Sequence, residues 1–457
     1  MKKAFLLFPA VLMSLSLAAG CGGAPGASGT PSNASQVYFL NFKPEVSEYY
    51  SEIAAAYQAE TGVAVKVETA SAGMYESTLR SEIAKADAPT IFQINGPVGY
   101  GGWRDYCLDL SGTELYSMLI DKDLAVTSGG GVYGIPYVVE GYGIIYNDAI
   151  MRAYFALPGA AAASMDEVNN FAKFKALVED MSAKKDQLGI KGVFASTSMA
   201  PGEQWRWQSH LANIPLYYEF EEDAAYDSTI WAGLAADTIT FKYNQNFRNV
   251  FDLYTNHSIS PKGLLANVSV SGSLSEFALG QAAMVQNGNW GAAQILGMDG
   301  NVVDGGDIKF LPIYTGMAGE ESQGLCVGTE NYLAVNSQVS AEKQEASVAF
   351  LEWLFSSETG KNFVVNGLKF ISPFDTFGDD EQPDDPLARE VLAWMEKPGI
   401  RTMDWTFLAF PSEEFKNYFG DALLEYVQGS EPWDYVVKVV VDAWASERAW
   451  NPVSDGS

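Results

Sequence analysis

From Val37 onward, short runs of apolar residues alternate with longer stretches in which apolar residues recur every three or four positions. Val37-Tyr38-Phe39-Leu40 is a short apolar run of strand character. Val46, Tyr49, Tyr50, Ile53 and Tyr57 then fall at helical spacing, and Thr61-Gly62 closes that helix. Val63, Val65 and Val67 follow at the two-residue period of a strand, Leu79 and Ile83 mark another helix, and Ile91-Phe92-Gln93-Ile94 a further strand. Such alternation predicts an α/β fold with a largely parallel sheet. The pattern returns late in the chain, with strands at Ile308 to Ile313 and Tyr332 to Val335 and a helix whose face carries Ala346, Ala349, Phe350, Trp353 and Leu354. The last part is helical, with stripes through Phe415, Phe419 and Leu423 and through Trp433, Val436, Val440 and Trp444 that are assigned to the core.

The N-terminus carries an address. Lys2 and Lys3 precede an apolar stretch from Ala4 to Leu17 and the small residues Ala18, Ala19 and Gly20, so residues 1–20 read as a signal peptide. The stretch is shorter than the ~20 residues a membrane-spanning helix needs. Leu17-Ala18-Ala19-Gly20-Cys21 resembles a bacterial lipobox, which implies cleavage before Cys21 and its lipidation. Residues 22–36 contain only Gly, Ala, Pro, Ser, Thr, Asn and Gln and form a flexible tether. The expectation is a folded body on the outer face of the cytoplasmic membrane, held there by lipid alone. Cys107 and Cys326 remain; an oxidising exterior permits a bond between them, and the sequence leaves open whether they meet.

Length and charge narrow the function. A chain of 457 residues implies two or three domains. With 28 Lys and Arg against 57 Asp and Glu, net charge −29, it lacks the clustered cations that phosphate contacts require, which excludes nucleic acid as a partner. Thirteen per cent aromatics excludes intrinsic disorder and calls for a use beyond packing. His210 and His257, the two histidines, sit in no catalytic motif and read as surface or structural residues. No clustered metal ligands and no phosphate-binding loop appear, so neither metal nor cofactor is expected. The acidic stretch from Asp379 to Asp385 reads as a solvated loop. Glycoside hydrolysis needs only two carboxylates about 5–9 Å apart, so a lipid-anchored carbohydrate enzyme stays open as the alternative to a binding protein.

Five segments carry a resemblance. Tyr57 to Val65 is similar to an F-x-x-x-T-G-x-x-V helix end, with tyrosine where phenylalanine is usual. Ile83 to Phe92 resembles an A-x-G-x-x-P-D-I entry into a strand, with Ala86 for the glycine and Thr90 for the aspartate. Gly131 to Asn147 looks like a strand crossing between two lobes, Phe277 to Trp290 closely matches F-x-x-G-x-A-A-M-x-x-x-G-x-W, and Tyr332 to Phe363 contains A-x-x-A-F-L-x-W-L. Together they resemble the family 1 extracellular solute-binding proteins, the carbohydrate-binding lipoproteins of ABC importers related to maltose-binding protein.

The resemblance implies a two-lobe periplasmic-binding-protein-like α/β fold with crossing hinge segments. Residues 37–139 plus 308–357 would form lobe 1, and 140–307 plus 358–457 lobe 2. It implies a monomer that delivers a mono- or oligosaccharide to ABC permease subunits and performs no catalysis. A sugar ring has apolar C–H faces and a polar equator, so its site needs aromatic platforms and amide or carboxylate partners. By position in the matched segments, the implied ligand contacts are Trp290, the acid Glu140, Asn41 and Lys43 after the first strand, Asn95, and one of Trp205 and Trp207, since residues two apart on a helix do not share a face. Trp103 and Trp405 are further aromatic candidates, although the stretch before the Phe415 helix does not carry the aromatic pattern expected of a maltose binder.

Overall fold

The computed structural model describes residues 37–71 and 73–451; the signal peptide, Cys21 and the tether lie outside the described residues. Val37–Asn41, buried at all five positions, runs parallel to Val65–Thr69 on one side and to Ile91–Ile94 on the other. Tyr332–Val335 closes this sheet by pairing antiparallel to Ile91–Ile94. The helix Ser47–Thr61 ends on Gly62 in the left-handed conformation and turns Tyr50, Ile53 and Tyr57 inward, as its periodicity predicts. Tyr57 meets Phe350 of the helix Ala341–Ser356 edge-on at 5.1 Å between ring centroids. This is the first lobe.

The second lobe is built around Glu140–Asn147, buried at all eight positions and paired antiparallel with Gln323–Gly328, Ala282–Gly288 and Ile308–Leu311. Gly192–Phe194 and Arg401–Met403 add parallel edges, so this sheet is mixed rather than largely parallel. Helices Phe171–Ala183, Asn244–Asn256, Glu413–Gln428 and Trp433–Trp450 cover it and bury the aromatic stripes in its core.

The lobe boundaries differ from the sequence reading. Ile308–Leu311, placed in lobe 1 by sequence, pairs with residues 144–147 of the second sheet. A four-residue apolar run specifies a strand and says nothing of its neighbour. The chain returns to the first lobe after Gly328 and stays beyond 357, since Val364, Leu368, Phe370 and Phe374 pack in the first lobe's core. It leaves again before Pro386–Met395, whose Leu387 and Val391 pack with Ile308. Asp385, from the acidic stretch, caps that helix by accepting from the Leu387 and Ala388 amides. Three connections therefore join the lobes: before Glu140, around residues 329–331, and between 374 and 386. Cys107 and Cys326 are buried free thiols in the cores of different lobes, so the permitted disulfide is not formed. Among the described residues, no helix is long and apolar enough to cross a membrane.

Candidate functional site

One aromatic cluster of the second lobe has two partly exposed tryptophans and is assembled from four separate segments. Trp290 follows Ala282–Gly288 in a short 3-10 turn. A Cβ at Gly288 would sit 2.1 Å from the Trp290 ring, so glycine there lets the indole fold back over the strand end. Trp205 precedes a π-helical turn, Arg206–Leu211, and lies 6.1 Å from Trp290, the two partly exposed rings tilted by 56°. His210 stands between them, 4.9 Å from Trp205 and 5.8 Å from Trp290. Trp405 and Phe407 form the buried backing: Phe407 stacks on His210 at 5.2 Å and Trp405 lies 6.4 Å from Trp290. Tyr142, from the crossing strand, completes the set 4.4 Å from His210. The Arg206 guanidinium braces Trp205, 5.1 Å above its ring.

Within this cluster His210 Nε2 and Trp405 Nε1 are buried and make no hydrogen bond, and the same holds for Nε and Nη2 of the bracing Arg206. Burial lowers the His210 pKa to about 3, so the imidazole is neutral. Its Nδ1 lies 3.0 Å from Ser209 Oγ and 3.2 Å from the Trp205 carbonyl; with the Ser209 hydroxyl donating to that same carbonyl at 2.7 Å, the ring proton is assigned to Nδ1 and Nε2 is left an acceptor. The cluster thus presents a bare acceptor at His210 and bare donors at Trp405 and Arg206. On the first lobe, Asn95 occupies the position before Gly96–Trp103 without making a capping hydrogen bond, its Oδ1 also buried and unpartnered, and Gly96 faces Leu408, the residue after Phe407.

The sequence candidates separate clearly. Trp290 and Trp205 are partly exposed and share one cluster with His210, and Asn95 lies on the first lobe beside the Gly96–Leu408 contact. Trp207 does not: fully buried, it donates from Nε1 to Thr197 Oγ1 at 2.8 Å and packs on Phe251 and Tyr254. Lys43 and Glu140 are occupied by one another, with Nζ 2.8 and 2.9 Å from the two carboxylate oxygens. Burial alone pulls the Lys43 ammonium down, but Glu140, then Glu45, hold it above the ordinary lysine value. Asn41 is likewise committed within its loop, donating to the Lys43 carbonyl and Thr69 Oγ1 and accepting from the Lys43 amide. These three residues build the hinge side of the cleft instead of offering free hydrogen-bonding groups. Trp103 donates to the Glu76 carboxylate at 3.2 Å. Sequence reasoning missed His210, Tyr142 and Phe407, whose types carry no signal outside a motif.

Glu330 sits in the second crossing segment beside Asn331, which adopts a left-handed backbone with φ 58°. Burial pushes its carboxyl up to about 7, against the pull of Lys43 and with the push of Glu140. A carboxyl raised above its unfolded value, about 4.3, keeps more protons in the native state. Its contribution therefore makes stability fall as pH rises from about 4.5 to 7. Glu330→Gln is expected to flatten that fall in a series of melting temperatures against pH; an unchanged profile would remove Glu330 as its source.

A family pattern described as "Bacterial extracellular solute-binding protein" matches residues 52–390, and the chain belongs to that family. The two-lobe fold recurs in solved structures. A chitin oligosaccharide binding protein is 17% identical with TM-score 0.68, over 91% of this chain and 98% of that one. The SBP RafE in complex with raffinose is 16% identical with TM-score 0.66, over 90% and 99%. A structure from work on xylan utilization by Caldanaerobius polysaccharolyticus is 16% identical with TM-score 0.66, over 89% and 99%. No curated protein matches the sequence.

Proposed function

We propose that this protein captures a carbohydrate in the interlobe cleft and hands it to an ABC permease, from a lipid-anchored position outside the cytoplasmic membrane and as a monomer. The observation that carries this reading is the partly exposed Trp205–Trp290 pair, 6.1 Å apart and packed with His210 and Trp405, whose Nε2 and Nε1 are buried without partners. A buried donor or acceptor without a partner costs about 1–3 kcal/mol, and a sugar supplies both a C–H face for the indoles and hydroxyls for these two atoms. The family and the saccharides named for the solved relatives point the same way. The alternative, hydrolysis, needs a free acid: Glu140 has both oxygens on Lys43, Glu330 is a nearby carboxyl that burial raises to about 7, and it is the family that favours binding over cleavage.

The test is tryptophan emission and calorimetry with xylose, glucose, N-acetylglucosamine and raffinose-type saccharides. A saccharide is expected to shift the emission and to be recovered intact, whereas turnover would sink the transport reading. Trp290→Ala is expected to weaken binding by about 1–3 kcal/mol, the scale of a hot-spot aromatic, with the fold unchanged by circular dichroism. Equal affinity in the variant would remove Trp290 from the site.

A further inference from the structure

On the second path between the lobes, Gly328 is the last residue of one sheet, paired with Glu140, and Tyr332 is the first of the other, paired with Ile94. Thr329, Glu330 and Asn331 alone span the gap. Asn331 holds a left-handed backbone, φ 58°, which side chains other than glycine seldom adopt. Thr329 Oγ1 and Asn331 Nδ2 are buried without partners, and an altered backbone path could satisfy them. The segment has the marks of a pivot, and its middle residue is an acid. Trp405 packs on Gly328, where a Cβ would lie 2.5 Å from the ring, so a change at the pivot reaches the aromatic cluster.

The ammonium groups near Glu330 are committed elsewhere. Lys43 gives its Nζ to Glu140, at 2.8 and 2.9 Å, and lies 3.8 Å from Glu45. From the second lobe Lys416 also acts on Glu330, but it is paired with Glu413 at 2.5 Å. Four carboxyls, Glu45, Glu140, Glu330 and Glu413, thus share the two cations. Tyr137, Tyr142 and Tyr332 face Glu330 as well; burial pushes each phenol upward, so they stay neutral and add no charge. With every acid ionised, negative charge outnumbers positive in surroundings that solvate it poorly. Burial raises the Glu330 carboxyl to about 7 in spite of Lys43. Glu45 is raised too, yet it keeps Lys43 beside it, which leaves Glu330 as the acid that takes the proton.

The structure holds the lobes in contact: a Cβ at Gly96 would lie 3.3 Å from Leu408, and one at Gly73 3.4 Å from the Gly202 carbonyl oxygen. Glu330 is partly buried in this arrangement, and parting the lobes around it admits water. We infer that Glu330 is a proton-operated switch in the hinge, neutral while the lobes are together and ionised when they part. A carboxyl whose pKa is higher in the closed form binds more protons there, so acid favours closure, and that preference is lost as pH rises from about 4.5 to 7. The acidity of the medium thereby sets how readily the protein opens. The inference stands on the crossing segment and not on the ligand being a saccharide.

The experiment is small-angle X-ray scattering of the ligand-free protein from pH 5 to pH 8, which reads the parting of the lobes as radius of gyration. The ratio of closed to open molecules is expected to fall about tenfold or more over that range, the factor produced by pKa values one apart in the two forms. Glu330→Gln, whose amide imitates the protonated acid, is expected to keep the low-pH radius throughout, whereas Glu330→Asp, which still ionises, keeps the rise. Circular dichroism at each pH checks folding. A parent radius that does not move with pH, or a Glu330→Gln variant that follows the parent, overturns the switch. If Glu45→Gln flattens the profile and Glu330→Gln does not, the proton belongs to Glu45 and the assignment falls. Carbon-13 NMR of the parent gives a check that needs no variant: the Glu330 carboxyl is expected to titrate near 7, and titration near the ordinary value of about 4.3 overturns the proposal. Failure of every saccharide to bind would sink the carbohydrate reading and leave these results as they are.

Discussion

Lys43→Met, with Glu140 left in place, is expected to lower folding stability by about 3–5 kcal/mol. Glu140 is 2% exposed and Lys43 3%, so the pair is held out of water at the first residue of the strand that crosses between lobes. Methionine keeps most of the stem but strands a buried carboxylate. Glu45, 3.8 Å from the ammonium, loses its cation as well; burial already pushes its carboxyl up, and only Lys43 chiefly restrains it. The denaturant midpoint should fall with an unchanged slope. A double change, Lys43→Met with Glu140→Leu, should recover most of the loss, because an apolar pair in place of a buried ion pair is often neutral. Native Lys43 binds its proton more tightly than free lysine, so the pair's contribution is complete below the ordinary lysine range and lost only above it. A single variant within about 1 kcal/mol of the parent would show that the ions are hydrated and that the desolvation argument fails.

Trp207→Ala and Trp205→Ala should part company although the two residues are nearly adjacent. Trp207 is fully buried between Phe251 and Tyr254, and its truncation is expected to cost about 3–5 kcal/mol of stability by opening a cavity and orphaning Thr197 Oγ1. Trp205 stands half-buried at the cleft, and its truncation is expected to leave the melting curve nearly unchanged and to weaken saccharide binding by about 1–3 kcal/mol. Chemical denaturation and calorimetry on the two variants read both quantities. If Trp207→Ala weakens binding while Trp205→Ala unfolds the protein, the placement of the two indoles is inverted.

Much of this architecture was legible before any coordinates. Val37–Asn41, Ile91–Ile94 and Tyr332–Val335 are short, mostly apolar and buried at every position, and the helix Ser47–Thr61 announces itself by spacing and by Gly62. Partnership between strands was not legible, because hydrophobic runs record burial and not neighbours; hence Ile308–Leu311 was assigned to the wrong sheet. The same limit shaped the site. Trp290 ends a dense motif and is a candidate from sequence alone, whereas His210, Phe407 and Tyr142 become functional candidates only when segments far apart in sequence converge. Lys43 and Glu140 were each visible as a charged residue near the cleft, but neither sequence position reveals that it is the other's counterion.

The edge strand Tyr332–Val335 has a consequence for how the molecule is made. The first lobe's sheet is complete only when that strand docks on Ile91–Ile94, and its core only when Phe363 to Phe374 has followed. The N-terminal lobe therefore cannot finish folding as the chain emerges; it waits for residues 140–328 of the second lobe to arrive first. Closing so long a loop adds modestly to the entropic cost, while contacts this distant in sequence slow the search for the native state. Until the last third of the chain is present, the first three strands have an open edge, a state compatible with passage across a membrane before folding and one that leaves the edge exposed to other chains.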